Sequence, residues 1–185
     1  MASTDRMSEA EVAIRLAERL LQLPGAGPHA EVAIDGAVVE IAGRRIFDIE
    51  GFLATQRWKL ARQHGQRSWH GIYGRRLQEL HISSASGTAD VVLQLGNRRA
   101  VAECKGGPLV KKPGNPEHRI LKEALGQALI WNGLPHDLVM VAVPDTPRFR
   151  KVVSEWQQRP LVRLTGIQIA LVAQSGTVSG VDLGE

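Results

Sequence analysis

Residues 88–105, TADVVLQLGNRRAVAECK, constrain the fold of this chain more than any other stretch. Two alternating apolar runs flank the dipeptide Gly96-Asn97, and glycine at the first central position is typical of a two-residue type II′ hairpin turn. Such a turn sets Leu95 opposite Arg98 and fixes every earlier pair along the two strands. The stretch therefore predicts a β-hairpin with a defined register.

In this register Asp90 lies directly opposite Glu103, with the two side chains ~5 Å apart. Glu103 and Lys105 share one face of the strand because side chains alternate, and Cys104 points to the other face. That other face is entirely apolar and is predicted to enter the core; it holds Val91, Leu93, Leu95, Ala100, Ala102 and Cys104. Two like charges that face each other destabilise a sheet unless something positive lies between them.

Either a lysine or a divalent cation can supply this positive charge. With Lys105 the group is a small ion-pair cluster at a strand end, as a structural or interaction protein would have. With a metal, Asp90, Glu103 and the backbone carbonyl of Cys104 form an oxygen ligand set that suits Mg²⁺, with Mn²⁺ as a substitute. A bound metal activates water and offsets charge on a phosphate, while a nearby lysine orients that water or stabilises the charge. The geometry alone leaves both interpretations open.

The other segments predict a mixed α/β order with one core. Apolar residues at helical spacing indicate helices over 8–23, 51–65, 116–132 and 148–158. Alternating or continuous apolar runs indicate short strands within 30–50 and further strands over 137–143 and 166–176. The segment 77–84 is predicted as a strand with a helix end as the alternative, and 66–76 gives no clear prediction. The single cysteine and the lack of a secretory signal or a long apolar run favour a cytoplasmic protein with no membrane partner.

An aspartate, a hairpin and then Glu-x-Lys, here Asp90, Glu103 and Lys105, resemble the PD-(D/E)xK nuclease superfamily, although Ala89 stands where proline is usual. The resemblance implies a restriction-endonuclease-like fold, a mixed central sheet flanked by helices. It implies one domain over 1–185, with 1–65 as an N-terminal helix and strand extension and 78–172 as the catalytic core.

The function that the resemblance implies is a Mg²⁺-dependent endonuclease that hydrolyses phosphodiester bonds. DNA is the favoured substrate and RNA the alternative, and a chain that cuts both strands often works as a homodimer. A catalytically silent nucleic-acid-binding module on the same fold is a second interpretation, and a structural protein is a third.

The resemblance also assigns roles to individual residues. Asp90 and Glu103 would bind the metal with the Cys104 carbonyl, Lys105 would assist the reaction, and Gln127 on the following helix would help to position the substrate. The further glutamate that a helix usually supplies is assigned first to Glu50, with Glu18 and Glu79 as rivals. The basic residues expected to contact nucleic acid are Arg57, Lys59, Lys111 and Lys112.

Overall fold

The computed structural model of this chain describes residues 7–84, 89–109, 114–131 and 133–183. The helices in these ranges are α1 (Glu9–Leu20), α2 (Ile49–Thr55), α3 (Pro116–Leu129), α4 (Pro147–Gln157) and α5 (Pro160–Leu164). The strands are β1 (Ala26–Ala33), β2 (Val38–Ile41), β3 (Arg44–Asp48), β4 (Lys59–Gln63), β5 (Gly71–Arg75), β6 (Gln78–Ser83), β7 (Val91–Leu95), β8 (Arg98–Cys104), β9 (Leu138–Pro144), β10 (Gln168–Val172) and β11 (Val178–Ser179). The predicted mixed α/β class is confirmed. Within the described part of the chain, no helix combines the length and the apolar character needed to cross a bilayer.

Nine of these strands form one mixed sheet in the order β11-β10-β9-β8-β7-β1-β6-β5-β4, and β2 pairs with β3 separately. β7 is antiparallel to both β8 and β1, whereas β8, β9 and β10 run parallel. Parallel neighbours need a crossover connection. Helix α3 connects β8 to β9, and α4 with α5 connects β9 to β10. Because β7 and β8 are inner strands of this sheet, the open end of their hairpin, opposite the turn, has strands on both sides.

The sheet is covered on both faces around β9. Met140 and Ala142 of this strand enter the core that contains α1, while Val141 and Val143 enter the core that contains α3 and α4. All four side chains are buried. The strand predicted over 137–143 is confirmed as β9, and it is covered on both faces.

Helix α1 is enclosed between the sheet and the β2–β3–α2 segment. The Ser8 hydroxyl caps it, accepting a hydrogen bond from the backbone N–H of Glu11 at 3.1 Å. Eight of the twelve residues of α1 are buried, which a helix with only one covered face would not reach. Phe47, Ile49 and Leu53 supply the second cover. Burial on two sides fixes both ends of α1 in place.

The helix predicted over 51–65 is wrong beyond Thr55. Arg57 adopts a left-handed backbone conformation with φ of +64°, which ends the helical path. The chain then turns Trp58 into the core and continues as β4, the edge strand that pairs with β5. All five residues of β4 are exposed, so this strand has no buried alternation that a sequence pattern could reveal. β5, α5 and β11 were also not predicted.

Candidate active site

The hairpin register is the predicted one. Leu95 pairs with Arg98 and Val92 with Val101. Gly96 has φ of +58°, as the first central residue of a type II′ turn requires. The apolar face is buried in the core as expected, and its members are Val91, Leu93, Leu95, Ala100, Ala102 and Cys104. The backbone ladder ends at the pair Val91–Ala102, one step before Asp90 and Glu103.

Asp90 closes this end of the hairpin with its side chain. Its Oδ2 accepts a hydrogen bond from the backbone N–H of Cys104 at 2.7 Å, and its backbone carbonyl accepts one from the N–H of Ala33 at 2.8 Å. The N–H and C=O of a strand residue point to the same side of the strand, so the Cys104 carbonyl lies on the edge that faces Asp90. Asp90 and the Cys104 carbonyl are therefore neighbours at the strand end, as the predicted ligand set requires.

The Asp90 carboxyl group is held in an environment that opposes its negative charge. Burial raises its pKa to about 7, and the charges of Glu103 and Glu9 add to the increase. The hydrogen bond from Cys104 and the charge of Lys105 act in the opposite direction and do not cancel the effect. A carboxyl group that titrates near neutral pH is common at functional sites.

Lys105 lies between two of the acidic side chains. Its Nζ is 2.9 Å from Glu103 Oε1 and 3.7 Å from Glu9 Oε2. The Lys105 and Glu103 side chains are 14% and 15% exposed. Burial lowers the pKa of Lys105, but the Glu103 hydrogen bond and the charges of Glu9, Glu103 and Asp90 outweigh burial and raise it. The lysine is consequently an ammonium at neutral pH.

The sequence reasoning missed Glu9, which α1 brings to this cluster. Its own pKa is raised, first by burial and then by Glu103 and Asp35, against the lowering effect of Lys105. The segment that follows β8 packs closely against the start of α1 and so brings Glu9 near Lys105. A Cβ added to Gly106 would lie 2.7 Å from the Glu9 backbone nitrogen. The Gly-Gly pair after Lys105 was the available sequence signal, although it does not name the partner.

The cluster has more negative than positive groups. Glu9, Asp90 and Glu103 contribute three carboxyl groups. The positive charge of Lys105 lowers the pKa of both Glu9 and Asp90. Within the described ranges, no three or more His, Cys, Asp or Glu side chains stand in a metal-binding arrangement as they are. Lys105 instead holds the Glu103 oxygen that a metal would need. The arrangement can attract a cation, and a cation must compete with this lysine.

Gln127 and Glu103 both line a small cavity of about 20 Å³ between α3 and the sheet. Ala89 and Trp131 also line it, so the residue before Asp90 reaches the same space. The structure therefore brings Asp90, Glu103, Lys105 and Gln127 into one region.

The three glutamates considered for the helical position all lie in other surroundings. Glu18 is buried, accepting a hydrogen bond from Trp58 Nε1 at 2.6 Å and pairing with Arg75 at 2.8 Å. Glu79 is half exposed and lies 2.9 Å from His81. Glu50 is exposed in the first turn of α2. Among the described residues it is Glu9, and none of these three, that contacts Lys105.

Two of the predicted nucleic-acid-binding residues, Arg57 and Lys59, lie away from the cluster. Arg57 and Lys59 line a groove of about 810 Å³ together with Gln22. Gln22 follows the C-terminus of α1, whereas Glu9 begins this helix. Lys111 and Lys112 lie outside the described residues.

Comparison with known proteins finds no matching family model, no matching curated protein and no matching solved structure. The resemblance to the PD-(D/E)xK superfamily consequently depends on the residues and geometry of this chain alone.

Proposed function

We propose that this protein is a Mg²⁺-dependent nuclease of the PD-(D/E)xK type that hydrolyses phosphodiester bonds, with DNA as the favoured substrate. The observation that carries the proposal is the excess of carboxyl groups at the end of the β7–β8 hairpin. Glu9, Asp90 and Glu103 share a single lysine there, and burial with like charge raises the Asp90 pKa to about 7. A second cation would relieve this repulsion.

The fold gives further support. The large mixed sheet with helices on both faces agrees with the architecture that the resemblance implies. A helix follows the Glu-x-Lys strand and leads to the parallel strands β9 and β10. The restriction-endonuclease-like fold is accordingly part of the proposal.

The residues present fit Mg²⁺ in their chemistry. This ion prefers oxygen ligands, keeps several waters and is often held by one or two carboxylates. Asp90, Glu103 and the Cys104 carbonyl would hold it, with Glu9 nearby. When bound, the ion would supply an activated water and offset charge on the phosphate. Because the ligand form of Asp90 is the carboxylate, metal affinity and activity should both increase as the pH rises through about 7.

The side chains of this chain have separable roles in the proposed reaction. Lys105 keeps its proton at neutral pH, because its pKa is raised above the ordinary lysine value. It therefore acts as a hydrogen-bond donor to developing negative charge and not as the base. Glu9 orients the ammonium from α1, and Gln127 beside Glu103 positions the substrate.

The direct test is incubation of the purified protein with plasmid, linear and single-stranded DNA in Mg²⁺, Mn²⁺ or EDTA. We expect metal-dependent cleavage that Glu103→Ala and Lys105→Ala each reduce by about 100-fold or more, the usual cost of one essential polar group. Glu79→Ala is the matched control, since it removes a half-exposed carboxylate outside the cluster. Undiminished cleavage by Lys105→Ala would remove the assigned role.

The ion-pair cluster is the competing interpretation, and the 2.9 Å contact between Lys105 and Glu103 favours it. In that case Lys105→Ala lowers the melting temperature and no metal-dependent cleavage is seen. A silent nucleic-acid-binding module would bind DNA without cutting it under any metal condition.

A further inference from the structure

Positive charge is concentrated in one segment of the chain. Between Glu50 and Glu79 there is no acidic residue, while the segment contains Arg57, Lys59, Arg62, Arg67, Arg75 and Arg76. The whole chain has a formal net charge of +4, so these six basic residues leave the remainder net negative. The β4–β5 hairpin with its flanks is thus the basic part of an otherwise acidic protein.

Among the described residues, most of these basic side chains have no carboxylate partner. Arg75 is the exception, because it pairs with buried Glu18 and stacks on Trp58. Arg57, Lys59, Arg62 and Arg76 are exposed, and within the described ranges they form no ion pair with a carboxylate. Their charges are available to a ligand.

Three of these residues converge on one groove. The groove of about 810 Å³ is lined by Arg57, Lys59 and Arg76, with the amides of Gln22 and Gln56 beside them. Arg57 and Arg76 both have left-handed backbones, with φ of +64° and +57°. Such conformations are uncommon for residues other than glycine and persist where the surrounding structure holds them, often at binding sites.

The groove is separated from the acidic cluster by the length of α1. Gln22 follows Glu9 by thirteen positions along a helical path, which corresponds to about 20 Å at 1.5 Å per residue. A phosphate group bound in the groove therefore does not touch Lys105 or Asp90. A nucleic-acid duplex rises ~3.4 Å per base pair, so about six base pairs cover the same distance.

We infer that the groove at the C-terminal end of α1 binds the phosphate backbone of a nucleic acid, as a contact separate from the acidic cluster. Arginine and lysine side chains with adjacent amides are the usual phosphate-contacting groups. The inference depends on the proposed function only for the choice of polyanion. It predicts binding that is strongly salt-dependent, independent of metal and unaffected by removal of Glu103.

The test is fluorescence anisotropy of a labelled duplex of about 20 base pairs, ~70 Å long, titrated with the full chain in EDTA over a salt series. The variant is Arg57→Gly/Arg76→Gly, because glycine adopts both left-handed conformations without strain. Lys59→Gln is a second variant without a backbone constraint. Arg159→Ala/Arg163→Ala is the matched control, since it removes two exposed arginines of the α4–α5 region.

Each phosphate contact contributes ~0.9 to the slope of log affinity against log salt. We expect the double glycine variant to lose about two from that slope and at least about tenfold in affinity near 0.1 M salt, and Lys59→Gln to lose about one. The control should match the wild type. A double variant that binds as the wild type does overturns the inference, as does wild-type binding to phosphatidylserine vesicles with none to the duplex.

Binding and cleavage give separate results in this design. EDTA prevents metal-dependent cleavage, so wild-type binding that the glycine variant loses supports the groove even if no nuclease activity is found. Metal-dependent cleavage by a protein whose glycine variant binds normally would support the proposed function and refute the groove.

Discussion

The two ends of helix α1 differ in the charge of the residues around them. They also differ in the number of partners that their glutamates, Glu9 and Glu18, have. At the N-terminal end, Glu9 joins Asp90 and Glu103 around a single lysine. Near the C-terminal end, Glu18 is buried with Arg75 and the indole N–H of Trp58 as dedicated partners. A buried carboxylate that accepts from two fixed donors is typical of a structural element, whereas a surplus of carboxyl groups can accept a further cation.

The largest expected effect separates these two glutamates. Glu18→Gln should lower the free energy of unfolding by about 3 kcal/mol, because it leaves the Arg75 charge without its partner in a mostly buried position. Glu9→Gln should leave stability unchanged or slightly increased, since it removes a carboxyl group that Glu103 and Asp35 repel. Chemical denaturation of the two variants measures both effects.

The order of the two variants should be reversed for DNA cleavage, with the larger loss in Glu9→Gln. Glu9→Gln is expected to lose metal-dependent activity, while Glu18→Gln retains it at temperatures where the variant is folded. If both variants lose stability equally and neither loses activity selectively, the contrast between the two ends of α1 is incorrect.

A smaller effect is expected from Asp90→Asn, and it depends on pH. The folded-state pKa of Asp90 is about 7, above the ~3.9 of an exposed aspartate. The wild type therefore loses stability as the pH rises from about 4 to 7, where the unfolded chain releases this proton and the folded protein keeps it. The asparagine variant has no such proton and keeps the hydrogen-bond acceptor for Cys104.

Without metal, Asp90→Asn should therefore be more stable than the wild type by about 1–3 kcal/mol at pH 8, with little difference at pH 4. Urea unfolding at several pH values in EDTA provides the measurement. A difference that does not change between pH 4 and 8 would show that Asp90 is not held in a charge-opposing environment.

The sequence predicted the two hairpin carboxylates of the acidic cluster and missed the third, Glu9, for a physical reason. The positions of Asp90 and Glu103 follow from a two-residue turn and strand alternation, which are local, and Leu95 pairs with Arg98 as this requires. Glu9 reaches Lys105 across almost one hundred residues of chain through tertiary packing at Gly106. No local pattern contains that contact.

The basic end was mispredicted because an edge strand has little pattern to detect. The segment 56–65 resembles a basic helix in composition, yet β4 is held by its pairing with β5 and has no buried residue of its own. Arg57 lies where the helix ends, in a conformation that arginine seldom adopts. Its charge was recognised from the sequence, but its distance from the acidic cluster was not.

The most direct test of the central claim is thermal melting of the wild type and Asp90→Asn at pH 8 across a Mg²⁺ or Mn²⁺ series, with EDTA as reference. The account predicts that the wild type gains ~2.7 kcal/mol at a hundredfold excess of metal over Kd. The variant should gain much less, because it has lost a charged ligand. A wild type without a metal-dependent shift, or a variant with the same shift, would contradict the account and leave Lys105 and its carboxylates as an ion-pair cluster.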